Sequence, residues 1–312
     1  MANKIQSFTT RQHMIKPTYE ICHYRDHYLD ELALHHHDFY EVYLFLSGNV
    51  DYIIESRQYR IAPGDILLIS PNELHQPILD SVNTEYERIV LWIDKTYLQQ
   101  FTAIGTDLSR CFERAARDHT NLVRTDSKSL QLLVDILENT SRESESREFG
   151  SAIAADTLLI QALVLLNRMA ERDGQTAELE EKAGSVVSQV LAYINDHYHE
   201  ELSLDFLANT FFISKYHLSR EFNRLTGISV YRYIIQKRLV MAKQMLSQGI
   251  PSSEVYQHCG FGDYSNFYRA FKSEYQTSPK EYVAKLRNDA AQNALRARER
   301  SPLRTTSHQG ES

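Results

Sequence analysis

The sequence has few cysteines and no long apolar run. Three cysteines, Cys22, Cys111 and Cys259, stand far apart in 312 residues, and none belongs to a CxxC pair. This scatter favours neither a disulfide framework nor a structural zinc site, and it fits a reducing compartment. No apolar run approaches 18 residues, and the first residues do not resemble a signal peptide. We therefore expect a soluble, cytoplasmic protein with no membrane partner.

Common catalytic patterns are also missing. The sequence shows no Ser/His/Asp triad and no glycine-rich phosphate loop, which favours a binding protein over an enzyme. The net charge of −7 at first argues against a nucleic-acid partner. However, residues 185–287 carry 12 basic against 9 acidic residues, whereas the remainder carries 22 against 32. The mildly basic segment is the part of the chain suited to DNA.

That basic segment contains two copies of one sequence pattern. Four residues of the first copy, Arg220, Phe222, Ser229 and Tyr233, recur 49 positions later as Arg269, Phe271, Ser278 and Tyr282. Apolar spacing predicts a short helix, a turn and a second helix in each copy, with Ser214 and Asp263 as N-caps. Gly227 is expected to end the first of these second helices and Pro279 to close the other. Each copy therefore predicts a helix-turn-helix.

The segment between the copies predicts a rigid connector. Apolar residues at spacings of four, three and four indicate one amphipathic helix over residues 230–247. If this helix holds the two units about 34 Å apart, both second helices can enter successive major grooves of one duplex.

The stretches SKYHLSREFNRLTGISVYRYI and GFGDYSNFYRAFKSEYQTSPKEY resemble the double helix-turn-helix domain of the AraC/XylS family. The resemblance covers residues 186–287 and implies a sequence-specific regulator, commonly an activator, that binds promoter DNA. RNA polymerase is a further partner that the resemblance implies. Two positions depart from the family pattern: Phe212 replaces a common turn glycine, and Tyr256 replaces an alanine.

The resemblance also implies which residues contact DNA. Base and phosphate contacts are expected from Lys215, Tyr216, Ser219 and Arg220 in the first unit and from Asp263, Ser265, Asn266 and Arg269 in the second. Arginine is the usual partner of guanine and asparagine that of adenine. Phosphate contacts are assigned to Lys215, Arg224, Lys237 and Lys272.

The sequence of residues 20–95 is typical of an antiparallel barrel, because short runs of β-forming residues are separated by turn residues. Within them, His35, His37, Glu41 and Gly48 form the pattern HxHxxxExxxxxxG, and His75 follows. This region resembles the cupin barrel, in which such residues hold Fe, Mn, Ni, Cu or Zn.

A second interpretation of this region stays open, because sensor domains of the regulator family resemble cupins and mostly take small effectors without metal. In that case the same polar residues would bind an effector such as a sugar, with Tyr43, Tyr52 and Trp92 as stacking surfaces. No cofactor is expected, and a divalent metal at His35, His37, Glu41 and His75 is the alternative.

The remaining segments complete the expected organisation. Two amphipathic helices over residues 127–170 resemble the family's dimerisation region and predict a homodimer; the alternative is that they only pack on their own barrel. Residues 173–184 predict a linker, and residues 288–312 a disordered basic tail. The fold class is thus two-domain α+β, with a cupin-like sensor over residues 1–172 and an all-α double helix-turn-helix over residues 185–287.

Three functions follow. The first is a regulator whose barrel binds a small molecule, for instance a sugar, and alters DNA binding. The second is a constitutive DNA-binding protein whose barrel is only an oligomerisation platform. The third, a metal-dependent cupin enzyme, rests on His35, His37, Glu41 and His75 alone.

Overall fold

A computed structural model describes residues 13–26, 34–79, 85–101, 105–173 and 185–288. The chain divides into two compact units, one formed by residues 1–196 and 204–230 and the other by residues 197–203 and 231–312. The first helix-turn-helix belongs to the first unit and the second to the other. The predicted linker beyond residue 173 and the tail beyond residue 288 lie outside the described residues.

The first unit begins with two antiparallel sheets. Its strands are β1 (Tyr19–Asp26), β2 (Tyr40–Ser47), β3 (Val50–Ile54), β4 (Arg57–Arg60), β5 (Ile66–Ile69), β6 (His75–Leu79), β7 (Tyr86–Ile93) and β8 (Leu122–Val123). One sheet has the order β1-β7-β2-β5-β8 and the other the order β4-β3-β6. The predicted cupin-like antiparallel domain is confirmed.

The larger sheet is buried on both faces. Side chains of a strand alternate between its faces, so Val42 and Leu44 lie on one face while Tyr43 and Phe45 lie on the other. The first face packs against helices and the second faces the interior between the sheets. Because β2 is buried on both faces, its sequence is a nearly continuous run of apolar residues. It also places Glu41 on the interior face, in register with Trp92 of β7.

Helices cover the first face. They are α1 (Lys95–Gln99), α2 (Arg110–Asp118), α3 (Ser127–Glu145) and α4 (Ser151–Asp173). The predicted stripe of α4 is buried in the core of that sheet, at Leu159, Ala162, Leu163, Leu166 and Met169. These helices therefore pack on their own barrel, as the alternative to dimerisation held; dimerisation itself stays a prediction.

The segment Ser151–Arg172 of α4 is long and apolar enough to cross a membrane by length and composition alone, with a mean hydropathy of 1.4. The expectation that no segment approaches this limit was wrong. One face of α4 packs on the sheet, where Leu159, Leu163 and Leu166 are fully buried, and 33% of the apolar segment is buried in total.

The first helix-turn-helix follows α5 (Val186–His197) and consists of α6 (Leu204–Thr210) and α7 (Lys215–Thr226). The predicted caps are confirmed: Ser214 Oγ accepts a hydrogen bond from His217 N, and Gly227 ends α7 with φ of 69°. Phe212, in the turn, also takes a positive φ, of 54°, although it is not glycine.

The second unit contains most of α8 (Val230–Ser247), then α9 (Ser252–His258) and α10 (Tyr264–Tyr275). The predicted helix over residues 230–247 and the Asp263 cap are confirmed. The prediction that Pro279 closes α10 was wrong, because α10 ends at Tyr275 with Gln276 in the left-handed conformation, and Pro279 instead begins a further helix over residues 279–288. Ser278 and Glu281 each accept a hydrogen bond from the other's backbone N–H, which is a capping box, and proline fits the first turn of a helix.

Candidate DNA-binding surface and effector site

One side of α7 is exposed and carries the predicted contacts of the first unit. Leu218 and Phe222 are fully buried on its other side. Lys215, Tyr216, Ser219, Arg220 and Arg224 are all exposed. The helix thus presents cationic and hydroxyl groups together on the surface that a major groove could receive.

The cations of this helix have acidic neighbours. Arg224 Nε lies 2.9 Å from Glu221 Oε2, and Arg220 Nη2 lies 3.3 Å from Glu221 Oε1. The hydrogen bond from Arg224 is the main cause that lowers the pKa of Glu221. Lys215 pairs with Asp205 of α6. All three are surface ion pairs, which are weak enough for the cations to exchange partners with phosphate.

The exposed side of α10 carries a polar chain. Asp263 accepts hydrogen bonds from Asn266 N and Asn266 Nδ2, and Asn266 Oδ1 accepts one from Arg269 Nη2 at 2.6 Å. Ser265, Asn266, Arg269 and Lys272 are exposed. Asp263 caps the helix and orients Asn266, so its carboxylate is already engaged in the absence of DNA. A base partner for Asn266 or Arg269 would replace the hydrogen bond between them.

Lys237 is set apart from these residues. It lies on α8, outside both recognition helices, and is half-buried.

The interior of the barrel holds a second cluster of polar groups. Ligand atoms of His37, Glu41 and His75 lie within 4.8 Å of one another, and all three residues are buried. His37 Nε2 lies 2.7 Å from Glu41 Oε2, and His75 Nε2 lies 3.9 Å from the same oxygen. Trp92 Nε1 donates a hydrogen bond to that oxygen at 3.0 Å. Three side chains, those of His37, His75 and Trp92, thus converge on one carboxylate oxygen of Glu41.

Backbone carbonyls orient both imidazoles. His37 Nδ1 lies 3.0 Å from Phe39 O, and His75 Nδ1 lies 2.8 Å from Glu73 O. Burial, together with the nearby rings of His35 and His37, lowers the pKa of His75 well below its ordinary value. The His75 ring is therefore neutral at physiological pH.

The predicted aromatic residues adjoin this cluster. The Tyr52 ring is stacked on that of His75, with centroids 6.3 Å apart, and the Tyr43 ring lies 4.9 Å from Tyr52. Burial raises the pKa of Tyr43 and of Tyr52 well above the ordinary value, so both hydroxyls stay protonated and can donate. His35 is adjacent as well, since its ring lies 4.3 Å from that of His75, but it is not one of the three converging ligands. The seven predicted residues are therefore close together.

A buried ion pair in the same interior escaped the sequence analysis. Arg88 of β7 pairs with Asp26 of β1, and its guanidinium lies over the rings of Tyr24 and Tyr86. Tyr86 is also hydrogen-bonded to Tyr43. The available signal was strand alternation, because Arg88 shares the inward face with Val90 and Trp92.

Comparisons with known proteins match both parts of the chain. Residues 18–163 match the family of AraC-like ligand binding domains, and residues 207–299 match a helix-turn-helix domain family. The HTH-type transcriptional activator RhaS of Salmonella heidelberg is 25% identical over 248 residues, which are 79% of this chain and 86% of that protein. The protein of the same name from Salmonella typhimurium gives the same figures.

Solved structures match as well. The DNA-binding domain of AdpA in complex with target DNA is 27% identical, covers 35% of this chain and 98% of its own, and has a TM-score of 0.34. ToxT from Vibrio cholerae with bound unsaturated fatty acid is 12% identical, covers 86% and 95%, and has a TM-score of 0.37.

A cupin-like ligand-binding domain joined to paired helix-turn-helix units defines a class of protein, the ligand-responsive transcription regulators that bind specific DNA. Within that class, the chain belongs to the AraC family. Its family consists of regulators rather than enzymes.

Proposed function

We propose that this protein is a cytoplasmic transcription activator whose barrel binds a small polar effector, with a sugar or another polyol as the leading class. The main support for this proposal is that His37, Glu41 and His75 converge beside aromatic rings in the barrel interior. Support for activation comes from relatives described as transcriptional activators. Promoter DNA, the effector and RNA polymerase are the proposed partners.

The chemistry of the interior favours a polar effector. A buried carboxylate and buried imidazoles cost free energy unless they are paired. Hydroxyl groups can pair with them, while the faces of Tyr52 and Trp92 can cover the apolar face of a sugar ring. A purely apolar molecule would leave the buried His75 Nε2, which makes no hydrogen bond within the described residues, without a partner.

The effector controls DNA binding only through a difference in affinity. If it binds the barrel more tightly in one arrangement of the chain, it shifts the population toward that arrangement. The proposed consequence is a change in how the two helix-turn-helix units are presented to the promoter.

A homodimer is part of the proposal. Three large apolar side chains on α3, α4 and the turn between them are exposed: Leu132 at 47%, Ile153 at 74% and Phe149 fully. Phe149 and Ile153 are four positions apart, and exposed apolar groups this close in sequence suit a protein contact.

Base reading is tested with Arg269→Ala and Arg220→Ala in the full chain. Each is expected to weaken binding to the matched site by about 1–3 kcal/mol and to relax its specificity, because a guanine contact is lost. Arg117→Ala is the control, since Arg117 is an exposed arginine on α2 paired with Asp118. Equal losses on all sequences would make these residues phosphate contacts, and unchanged affinity would contradict their role in DNA binding.

Effector sensing is tested by thermal unfolding of the full chain with a panel of sugars, polyols and hydroxy acids. A true effector at about a hundred times its Kd adds roughly 2.7 kcal/mol of stability. The shift should disappear in Glu41→Gln and persist in His23→Gln, which removes a histidine from a different His–Glu pair, that with Glu87. A flat panel, with DNA affinity that ignores every compound, would favour the constitutive DNA-binding protein.

A further inference from the structure

We infer that His37 Nε2, the Glu41 carboxylate and His75 Nε2 bind a divalent transition-metal ion inside the barrel, and that the effector binds to this ion through oxygen atoms. Three features of these residues fit such an ion. Their donor atoms are ones that transition metals bind, backbone carbonyls orient both imidazoles, and His75 Nε2 is buried without a hydrogen bond within the described residues.

The two imidazoles present lone pairs to the cluster. A backbone carbonyl only accepts hydrogen bonds, so the contacts of His37 with Phe39 O and of His75 with Glu73 O require a proton on each Nδ1. In a neutral ring the inward Nε2 then has no hydrogen. Fixing a histidine tautomer by a carbonyl on the outer nitrogen is the usual arrangement around metal ligands.

The short contact with Glu41 needs a positive charge between its atoms. His37 Nε2 and Glu41 Oε2 are 2.7 Å apart, and two acceptors repel at that distance. A shared proton would satisfy this pair, but it would leave His75 Nε2, which is buried and makes no hydrogen bond within the described residues. A metal ion satisfies all three groups at once.

The distances are compatible with one ion. First-row metals bind nitrogen and oxygen at roughly 2.0–2.2 Å, so two ligands of one ion lie about 3–4 Å apart. The three atoms lie within 4.8 Å of one another without an ion, so small side-chain movements close the set. Two histidines and one carboxylate suit iron, zinc or manganese.

This set of three differs from the four-ligand set that the sequence suggested. His35 is paired with His75 in an isolated β-bridge, through two backbone hydrogen bonds, and lies outside the converging set. Three protein ligands leave coordination positions open. An effector with adjacent hydroxyl or carboxylate oxygens can fill them; this role, unlike metal binding itself, rests on the proposed function.

The test uses the untagged full chain, stripped with a chelator and titrated with Zn²⁺ by calorimetry and with Co²⁺ by visible absorption. We expect about one ion per chain. Glu41→Gln and His75→Gln should abolish this site, whereas His23→Gln should retain it.

Trp92→Phe provides a milder variant in case the others fail to fold. It keeps an aromatic ring at this position and all three metal-binding groups but removes the hydrogen bond to Glu41 Oε2, and it should weaken metal affinity about 10- to 100-fold. Equal binding by the wild type and all variants would assign the metal to surface histidines and overturn the inference. A stripped chain that binds neither ion, with His37 Nε2 protonated by nitrogen NMR, would overturn it in favour of the shared proton.

The two proposals fail separately. Metal binding that depends on Glu41 but is followed by no effector response would retain the site and reject sensing. An effector response that is equal in metal-loaded and metal-free protein would retain sensing and reject the ion as its binding partner.

Discussion

Gly260 is expected to tolerate no side chain, because two independent constraints act on it. Its φ is +76°, in the left-handed region that favours glycine, and a Cβ atom built there would lie 2.6 Å from the backbone oxygen of His199. Gly260→Ala therefore perturbs the turn between α9 and α10, which sets the direction of the second recognition helix.

The cost has two parts. A left-handed conformation costs a residue other than glycine roughly 1–2 kcal/mol. A contact under 3.0 Å with backbone cannot be relieved by a side-chain rotation, and forced repacking of this kind costs about 1–3 kcal/mol. Together, Gly260→Ala should lose about 2–5 kcal/mol of unfolding free energy.

Two other glycines allow the conformational cost and the steric cost to be measured separately. Gly249 has φ of +89° but nothing within 4 Å of a built Cβ, so Gly249→Ala carries only the conformational cost. Gly262 has neither constraint, so Gly262→Ala should stay within about 1 kcal/mol of the wild type. Denaturant unfolding followed by circular dichroism measures all three. If Gly260→Ala unfolds at the same denaturant concentration as Gly262→Ala, position 260 accepts a side chain and neither cost applies.

Other predictions concern the barrel and the first turn. Asp26→Ala should destabilise the chain by about 3–5 kcal/mol, because it leaves the Arg88 charge buried without its carboxylate partner; unfolding no different from that of Asp51→Ala, a half-buried surface carboxylate, would contradict this. Phe212→Gly should stabilise the chain by about 0.5–1 kcal/mol, since Phe212 is 95% exposed and its positive φ is strained; a loss of thermal stability would show that its ring makes a contact worth more than the strain.

Local signals explain what could be predicted from the sequence. The helix-turn-helix units follow from repeated apolar spacing and from caps such as Ser214, Gly227 and Asp263, each of which acts within a few residues of the helix end that it fixes. The HxHxxxE pattern likewise predicts that His37 and Glu41 lie together, because Glu41 is in β2 and His37 is only four residues before it.

Non-local geometry explains what could not be predicted. Whether His35 or only His75 joins His37 and Glu41 depends on a β-bridge between distant segments. The Asp26–Arg88 pair depends on the register of β1 against β7, which no local pattern specifies. Pro279 was misinterpreted because proline both ends helices and begins them, and only the capping box at Ser278 decides between the two.

We propose that the two helix-turn-helix units of one chain bind specific DNA together. Selection of binding sites from random duplex DNA by the full chain tests it most directly. We predict enrichment of two half-sites about 10 bp apart, centre to centre, with the half-sites losing definition separately in Arg220→Ala and Arg269→Ala. Recovery of DNA without any enriched sequence, or of the same site by the wild type and both variants, would contradict sequence-specific binding by the two units.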